Sequence, residues 1–204
     1  MNNYLLEIGR SVRLHIRNRI DRLRFNNPNV SIITNHCMGG IICHDLGIQF
    51  NSPTVNLKIL PGDFIKFAEN LEEYIGKDIV EVEDKSVSYP VGMLGDVKLW
   101  FVHYETFEQA VSAWNRRKKR INWDNIRVML TVREECSEDI LSRFEKLPYK
   151  KVAFSNERHE NYPSVIYANK NGKQLSGYIS DVMNVFGKRG YQTGGFDYIK
   201  FLNK

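Results

Sequence analysis

The chain has 204 residues, of which 42% are hydrophobic and 26% charged, with a net charge of +5; this favours one soluble globular domain over two and excludes a disordered or fibrous chain. Three cysteines with no C-x-x-C pair argue against a disulfide framework or a zinc knuckle and suit a reducing compartment. Arginines interrupt any signal-peptide core, and no run approaches the ~20 apolar residues needed to span a bilayer, so a cytoplasmic protein is expected.

The first element is a helix over 3–25, NYLLEIGRSVRLHIRNRIDRLRF. Leu5, Ile8, Val12, Ile16, Ile20 and Leu23 recur at steps of three and four and form one stripe, with Arg10, Arg13, Arg17 and Arg24 on another face. Residues 4–24 hold six arginines against Glu7 and Asp21, a local balance of +4; the rest of the chain, with 23 basic and 22 acidic groups, adds +1. Pro28 stops the helix. Such a basic amphipathic helix can lie on an anionic membrane surface, each basic residue contributing ~1 kcal/mol near the headgroups. The plainer alternative is a helix packed on the domain with a solvated basic face. Residues 1–28 are thus read as an N-terminal amphipathic helix and 29–204 as a single α/β domain.

A β-branched run at 30–34 predicts a buried strand. It leads into a polar turn, Asn35-His36-Cys37, two glycines and a helix over about 40–46. LPGDFIKFAENLEEYIG predicts one helix, with Asp63 at its start, Phe64, Phe67, Leu71 and Tyr74 on its apolar stripe and Gly76 closing it. The run 97–104 predicts a strand buried on both faces. TFEQAVSAWNRRKKR predicts a helix capped by Thr106 with Gln109 three residues on. Then follow a strand at 125–132, a helix capped at Ser137, a strand KKVAFSN, a strand PSVIY running to an Asn-Gly turn, a last helix SGYISDVMNVFG and a glycine-rich loop GKRGYQTGG. This alternation predicts an α/β fold: a mainly parallel sheet flanked by helices, a Rossmann-like three-layer arrangement behind the N-terminal helix. Ligands meet such sheets at the strands' carboxyl ends. There stand Asn35-His36-Cys37, His103-Tyr104, Arg133-Glu134-Glu135 and Asn156-Glu157-Arg158-His159, which are expected to share one crevice.

Cys37 can serve as a thiolate nucleophile or as the floor of an acyl-carrier site. A helix starting after Gly39 would aim N–H groups and a positive dipole end at it, favouring the thiolate and offering an oxyanion or phosphate site. The plainer alternative is a small buried hydrophobe, with glycines that only serve the turn. His36, His44, His103 and His159 could partner the thiol; His103 has the best setting, because a buried strand leads into it. It could equally be a core histidine bonded to a carbonyl. WNRRKKRINWDN at 114–125 places Arg116, Arg117, Lys118, Lys119 and Arg120 at a helix end where the dipole favours cations. Arginine forks suit phosphate or carboxylate, and the flanking tryptophans can stack on a nucleobase or sugar. A solvated helix end with Trp114 in the core is the other possibility. Nucleic acid is disfavoured, since the rest of the chain has almost no excess positive charge. No G-x-S-x-G, S-x-x-K, P-loop, G-x-G-x-x-G or D-x-D occurs, and no metal site is expected.

The pieces NHCMGG, SPTVNL, DFIKFAENLEEYI, YPVGMLGDVKLWFVHY and WNRRKKRINWDN, in this order, resemble a family of bacterial exopolysaccharide and capsule biosynthesis proteins carrying a domain of unknown function. The resemblance runs from about residue 30 to about residue 169. On the family pattern Asn-x-Cys-x-Gly-Gly fall Asn35, Cys37, Gly39 and Gly40, with Met38 where an aromatic residue is common. The family's His-Tyr pair falls on His103 and Tyr104, and its basic block on Trp114, Arg116, Arg117, Arg120 and Asn122. The resemblance implies acyl transfer onto sugars. In that scheme Cys37 is the nucleophile, His103 the base, and acetyl-CoA the donor with its phosphates on Arg116, Arg117 and Arg120. Asn35, Gly39, Gly40, Tyr104, Trp114 and Asn122 then complete the substrate site. The acceptor would be a polysaccharide or lipid-linked sugar, and the protein would sit peripherally at the inner membrane face. A non-catalytic module that binds a phosphosugar or nucleotide sugar, and a glycosyl- or sugar-phosphate transferase, stay open as alternatives.

Overall fold

The segment Ile126–Val132, strand β5, is buried at all seven of its positions. A strand without an exposed residue must be covered on both faces. In the computed structural model, which describes residues 2–132, 137–155, 157–170, 173–174 and 196–203, β5 lies inside a four-stranded parallel sheet ordered β1-β5-β6-β7. Its companions are β1 (Ser31–Thr34), β6 (Lys150–Ser155) and β7 (Val165–Tyr167). Alternate residues feed two cores. Ile32, Met129, Val152 and Phe154 pack with α2 (Met38–Leu46) and α7 (Tyr198–Leu202). Ile33, Val128, Leu130, Val132 and Ala153 pack on the opposite side with α3 (Pro61–Glu69), α5 (Phe107–Lys118) and α6 (Glu138–Lys146). The fold is therefore α/β, a parallel sheet with helices on both faces. Thr106 and Ser137 cap α5 and α6 as expected, accepting from the amides of Gln109 and Ile140.

Two elements depart from the sequence expectation. The helix expected across 60–76 breaks at Asn70, whose backbone (φ −126, ψ 42) separates α3 from α4 (Leu71–Gly76). The Asn70 amide donates to the Lys66 carbonyl at 3.5 Å, the local competition by which asparagine interrupts helices. The apolar register survives the break, and Phe64, Phe67, Leu71 and Tyr74 are all buried.

The larger correction concerns 97–104, which is not a strand of the parallel sheet. It supplies β4 (Val97–Trp100), the last strand of a separate antiparallel sheet ordered β2-β3-β4, with β2 at Ile79–Val82 and β3 at Val91–Leu94. Leu94 pairs with Val97, leaving Gly95-Asp96 as a two-residue hairpin loop in which Gly95 takes φ +63. That φ favours glycine, and two-residue loops with positive φ match the twist of paired strands. Burial in β4 alternates rather than running through: Val97 and Leu99 are buried, Lys98 and Trp100 half-buried, as in a sheet with one face on the core. A further two-stranded piece pairs β8 (Asn169–Lys170) with β9 (Lys173–Gln174). Residues Arg133, Glu134, Glu135 and Asn156, the Asn-Gly turn, the expected last helix and the glycine-rich loop lie outside the described residues.

Helix α1 (Asn2–Arg24) packs on the body, but not through its apolar stripe. It meets the body through polar side chains. Asn18 donates to the Asp45 carboxylate at 3.0 Å, Arg22 to the Asp45 carbonyl at 2.8 Å, and Tyr198 donates to buried Asp21 at 2.9 Å. Arg17 and Arg24 pair with Asp21, and Arg24 also with Asp197. The apolar stripe faces away from the body: Ile8 is 44% exposed, Val12 53%, Ile16 55%, Ile20 47% and Leu23 83%. No helix among the described residues is long and apolar enough to cross a membrane.

Candidate functional site

The carboxyl end of β1 is held open by side chains that imitate backbone. Asn35 follows the last residue of β1, and its amide continues the ladder: it donates to the Thr131 carbonyl at 3.1 Å and accepts from the Thr131 amide at 2.9 Å. His36 is buried; its Nδ1 accepts from the Met38 amide at 3.2 Å, and its Nε2 meets the Thr131 hydroxyl. Those partners require Nε2 to carry the proton and donate. Asn35 and His36 therefore build the turn rather than contact a ligand. Gly39 and Gly40 are packing residues. A Cβ on Gly39 would stand 3.0 Å from the Thr34 side chain, and one on Gly40 would stand 3.1 Å from Val55, so both let α2 sit close against β1 and the segment after α2. Their N–H groups remain in the first turn of α2, where no intrahelical acceptor exists.

With Asn35 and His36 turned inward, Cys37 is left at the cap of α2, half-buried, and its thiol makes no cap bond to the helix amides. Instead Sγ lies 3.0 Å from His103 Nε2. His103 arrives from the antiparallel sheet, just past β4. Three backbone bonds seat that sheet beside β1: the Ile59 amide donates to the Asn35 carbonyl at 2.8 Å, and Lys58 and Trp100 exchange a pair at 2.8 and 2.9 Å. Arg117 supports the next residue. Its guanidinium is buried, donates to the Tyr104 hydroxyl at 2.6 Å and to the Val55 carbonyl at 3.2 Å, and lies over the Phe50 ring. Tyr104 and Arg117 therefore brace His103. The imidazole is exposed and the thiol half-buried, an arrangement in which an imidazole can take a proton from a neighbouring thiol.

The other histidines take no part. His44 is on the exposed side of α2 beside Asp45. His159 meets the Ser155 hydroxyl at 3.0 Å, beyond β6. Cys43 is a core residue, and burial pushes its thiol up to about 12.

The basic block does not join the thiol. Trp114 is fully buried among Phe67 and its neighbours, so it offers no stacking face. Arg116 is exposed on α5, and Arg117 is committed to Tyr104 and Val55. Arg120 and Asn122 lie at the opposite, amino edge of the sheet: the Asn122 backbone amide donates to the Ser31 hydroxyl at 2.8 Å, at the first residue of β1. The three arginines thus point to three environments because a helix turns its side chains outward in all directions within one turn. Arg120 and Asn122 line an open groove of about 590 Å3 with Asn29, Gln49, Asn51, Lys119, Ile121, Trp123 and Asp124. Gln49 and Asn51 were not legible as site residues, because they reach the groove only through the return of α2 along the sheet.

The family described as a domain of unknown function, DUF1919, matches residues 8–203. The chain belongs to that family. A Haemophilus influenzae protein described as uncharacterized is 34% identical over 188 residues, covering 91% of this chain and 90% of its own length. The DUF1919 match takes in both the thiol–imidazole pair and the amino-edge groove.

Proposed function

We propose that this DUF1919 protein is a sugar O-acyltransferase of capsule or exopolysaccharide biosynthesis, acting at the inner face of the membrane with an acetyl thioester such as acetyl-CoA as donor. The observation that carries this reading is the 3.0 Å contact between the Cys37 thiol and the His103 imidazole. His103 takes the thiol proton as Sγ attacks the thioester carbonyl; a new S–C bond forms and the carrier leaves as a thiolate, which recovers that proton. A sugar hydroxyl then attacks the acyl-cysteine, passing its proton to His103, and the Cys37 thiolate departs. The first-turn N–H groups at Gly39 and Gly40 supply dipole stabilisation for the oxyanion of each step. A Rossmann-like sheet belongs with this proposal, since such folds present ligands to the strands' carboxyl ends.

Helix α1 supports the membrane part. Its outward stripe is edged by Arg13, Arg17 and Arg24 on one side and Arg22 on the other, with Arg19 within it, which suits an in-plane helix on anionic lipid.

The decisive experiment incubates the protein with labelled acetyl-CoA and cell-derived polysaccharide. We expect label in the polysaccharide and a trapped acetyl thioester on Cys37. Cys37→Ala should abolish both, and His103→Gln should slow transfer by roughly 10²-fold or more. Full transfer by Cys37→Ala would remove the thiol from the mechanism.

A further inference from the structure

The amino-edge groove lies apart from the thiol. The β1 strand, about 10 Å long at 3.3 Å per residue, separates Asn29 and Asn122 at one end from Asn35 and Cys37 at the other. The groove collects an unusual set of side chains. Lys119 and Arg120 bring two cations that form no ion pair among the described residues, against the single carboxylate of Asp124. Four primary amides, Asn29, Gln49, Asn51 and Asn122, surround them. Asn51 is only 8% exposed and lines the groove. Asn122 is fixed in place: its amide nitrogen donates to the Asn29 carbonyl at 3.1 Å, which leaves its carbonyl oxygen for a ligand. Trp123, on a short 3-10 turn, keeps its indole 45% exposed at the rim.

Each part answers a different feature of one ligand class. Amides donate to and accept from hydroxyl groups in pairs. An exposed indole face covers the C–H face of a sugar ring. A guanidinium and an ammonium hold a phosphate or carboxylate. We propose that the groove binds a pyranose unit carrying a negative charge, whether as a phosphate or as a uronic carboxylate. The proposal does not depend on thiol chemistry and would hold for a protein with no transferase activity.

The test titrates the full-length protein with glucose 1-phosphate, glucuronic acid, methyl glucoside and inorganic phosphate, followed by calorimetry and by the Trp123 indole N–H resonance. Either charged sugar, or both, should bind and shift that resonance, and which of them does so identifies the source of the charge. Methyl glucoside and phosphate alone should each bind at least about tenfold more weakly, since each lacks one half of the recognition. Arg120→Gln and Trp123→Ala, both at the protein surface, should each weaken the charged sugar about tenfold, while Cys37→Ala leaves it unchanged. Inorganic phosphate binding as tightly as the charged sugars, or charged sugars that leave the Trp123 resonance in place, would overturn the proposal. Loss of acetyl transfer in Cys37→Ala with groove binding intact separates this site from the thiol.

Discussion

Cys37 and Cys43 are six residues apart on the same helix turn region, yet chemistry separates them. Cys43 is walled into the core with a thiol pushed up to about 12, whereas Cys37 is half-buried and touches His103. Because the thiolate is the reactive form, iodoacetamide near neutral pH should label Cys37 and spare Cys43 in peptide mapping, and His103→Gln should slow labelling of Cys37. Equal labelling of the two would show that the imidazole does nothing for the thiol. At this scale the sequence was informative where a residue's role is set by its immediate neighbours. Cys37 and His103 stood out because each follows an apolar run. Asn35 looked like a ligand contact because nothing local reveals that its amide pairs with Thr131, 96 positions away. Trp114 and Arg117 misled for the same reason: the exposed-looking block WNRRKKR sends one indole and one guanidinium into the core.

Among the elements, caps and stripes were legible and sheet membership was not. The Thr106 and Ser137 caps are contacts over three residues. Placing β4 needed a choice between an apolar run and the Gly95-Asp96 loop before it; the loop decides, because a two-residue connection can join only antiparallel neighbours. Helix α1 shows the same limit. Its periodicity marks an amphipathic helix, but which face meets the body depends on Asp45, Tyr198 and Asp197, all distant in sequence. The outcome is an apolar stripe with arginines along both edges and its polar face inward. In sedimentation with vesicles containing anionic phosphatidylserine, the protein should pellet, and it should stay in solution with neutral phosphatidylcholine. Ile16→Asp should lower the bound fraction several-fold without changing acetyl transfer to a dissolved acceptor. Binding unaffected by Ile16→Asp would leave the stripe without a membrane role.

For the whole molecule, the two cores bring a pH dependence. The folded Cys43 thiol stays protonated up to about 12, while the unfolded one ionises near its ordinary value of 9.0. A group whose folded pKa is raised contributes stability below the unfolded value and loses it as pH climbs toward the folded one. Stability should therefore decline between pH 9 and 12, by up to about 1.4 kcal/mol per pH unit from this residue. Cys43→Ala, less stable at neutral pH, should show a shallower decline in urea melts across that range; an identical slope would exclude the thiol as the cause. The two-sheet plan has one further consequence. Cys37 rides on the large sheet and His103 on the small one, so neither sheet by itself determines their spacing. That distance is transmitted through Ile59–Asn35 and Lys58–Trp100, the backbone bonds that clip one sheet to the other. Sliding the small sheet by about 1 Å would leave every residue intact and still uncouple base from nucleophile. If the proposed transfer takes place, anything that wedges into or tightens that seam would throttle it without touching sulfur or imidazole.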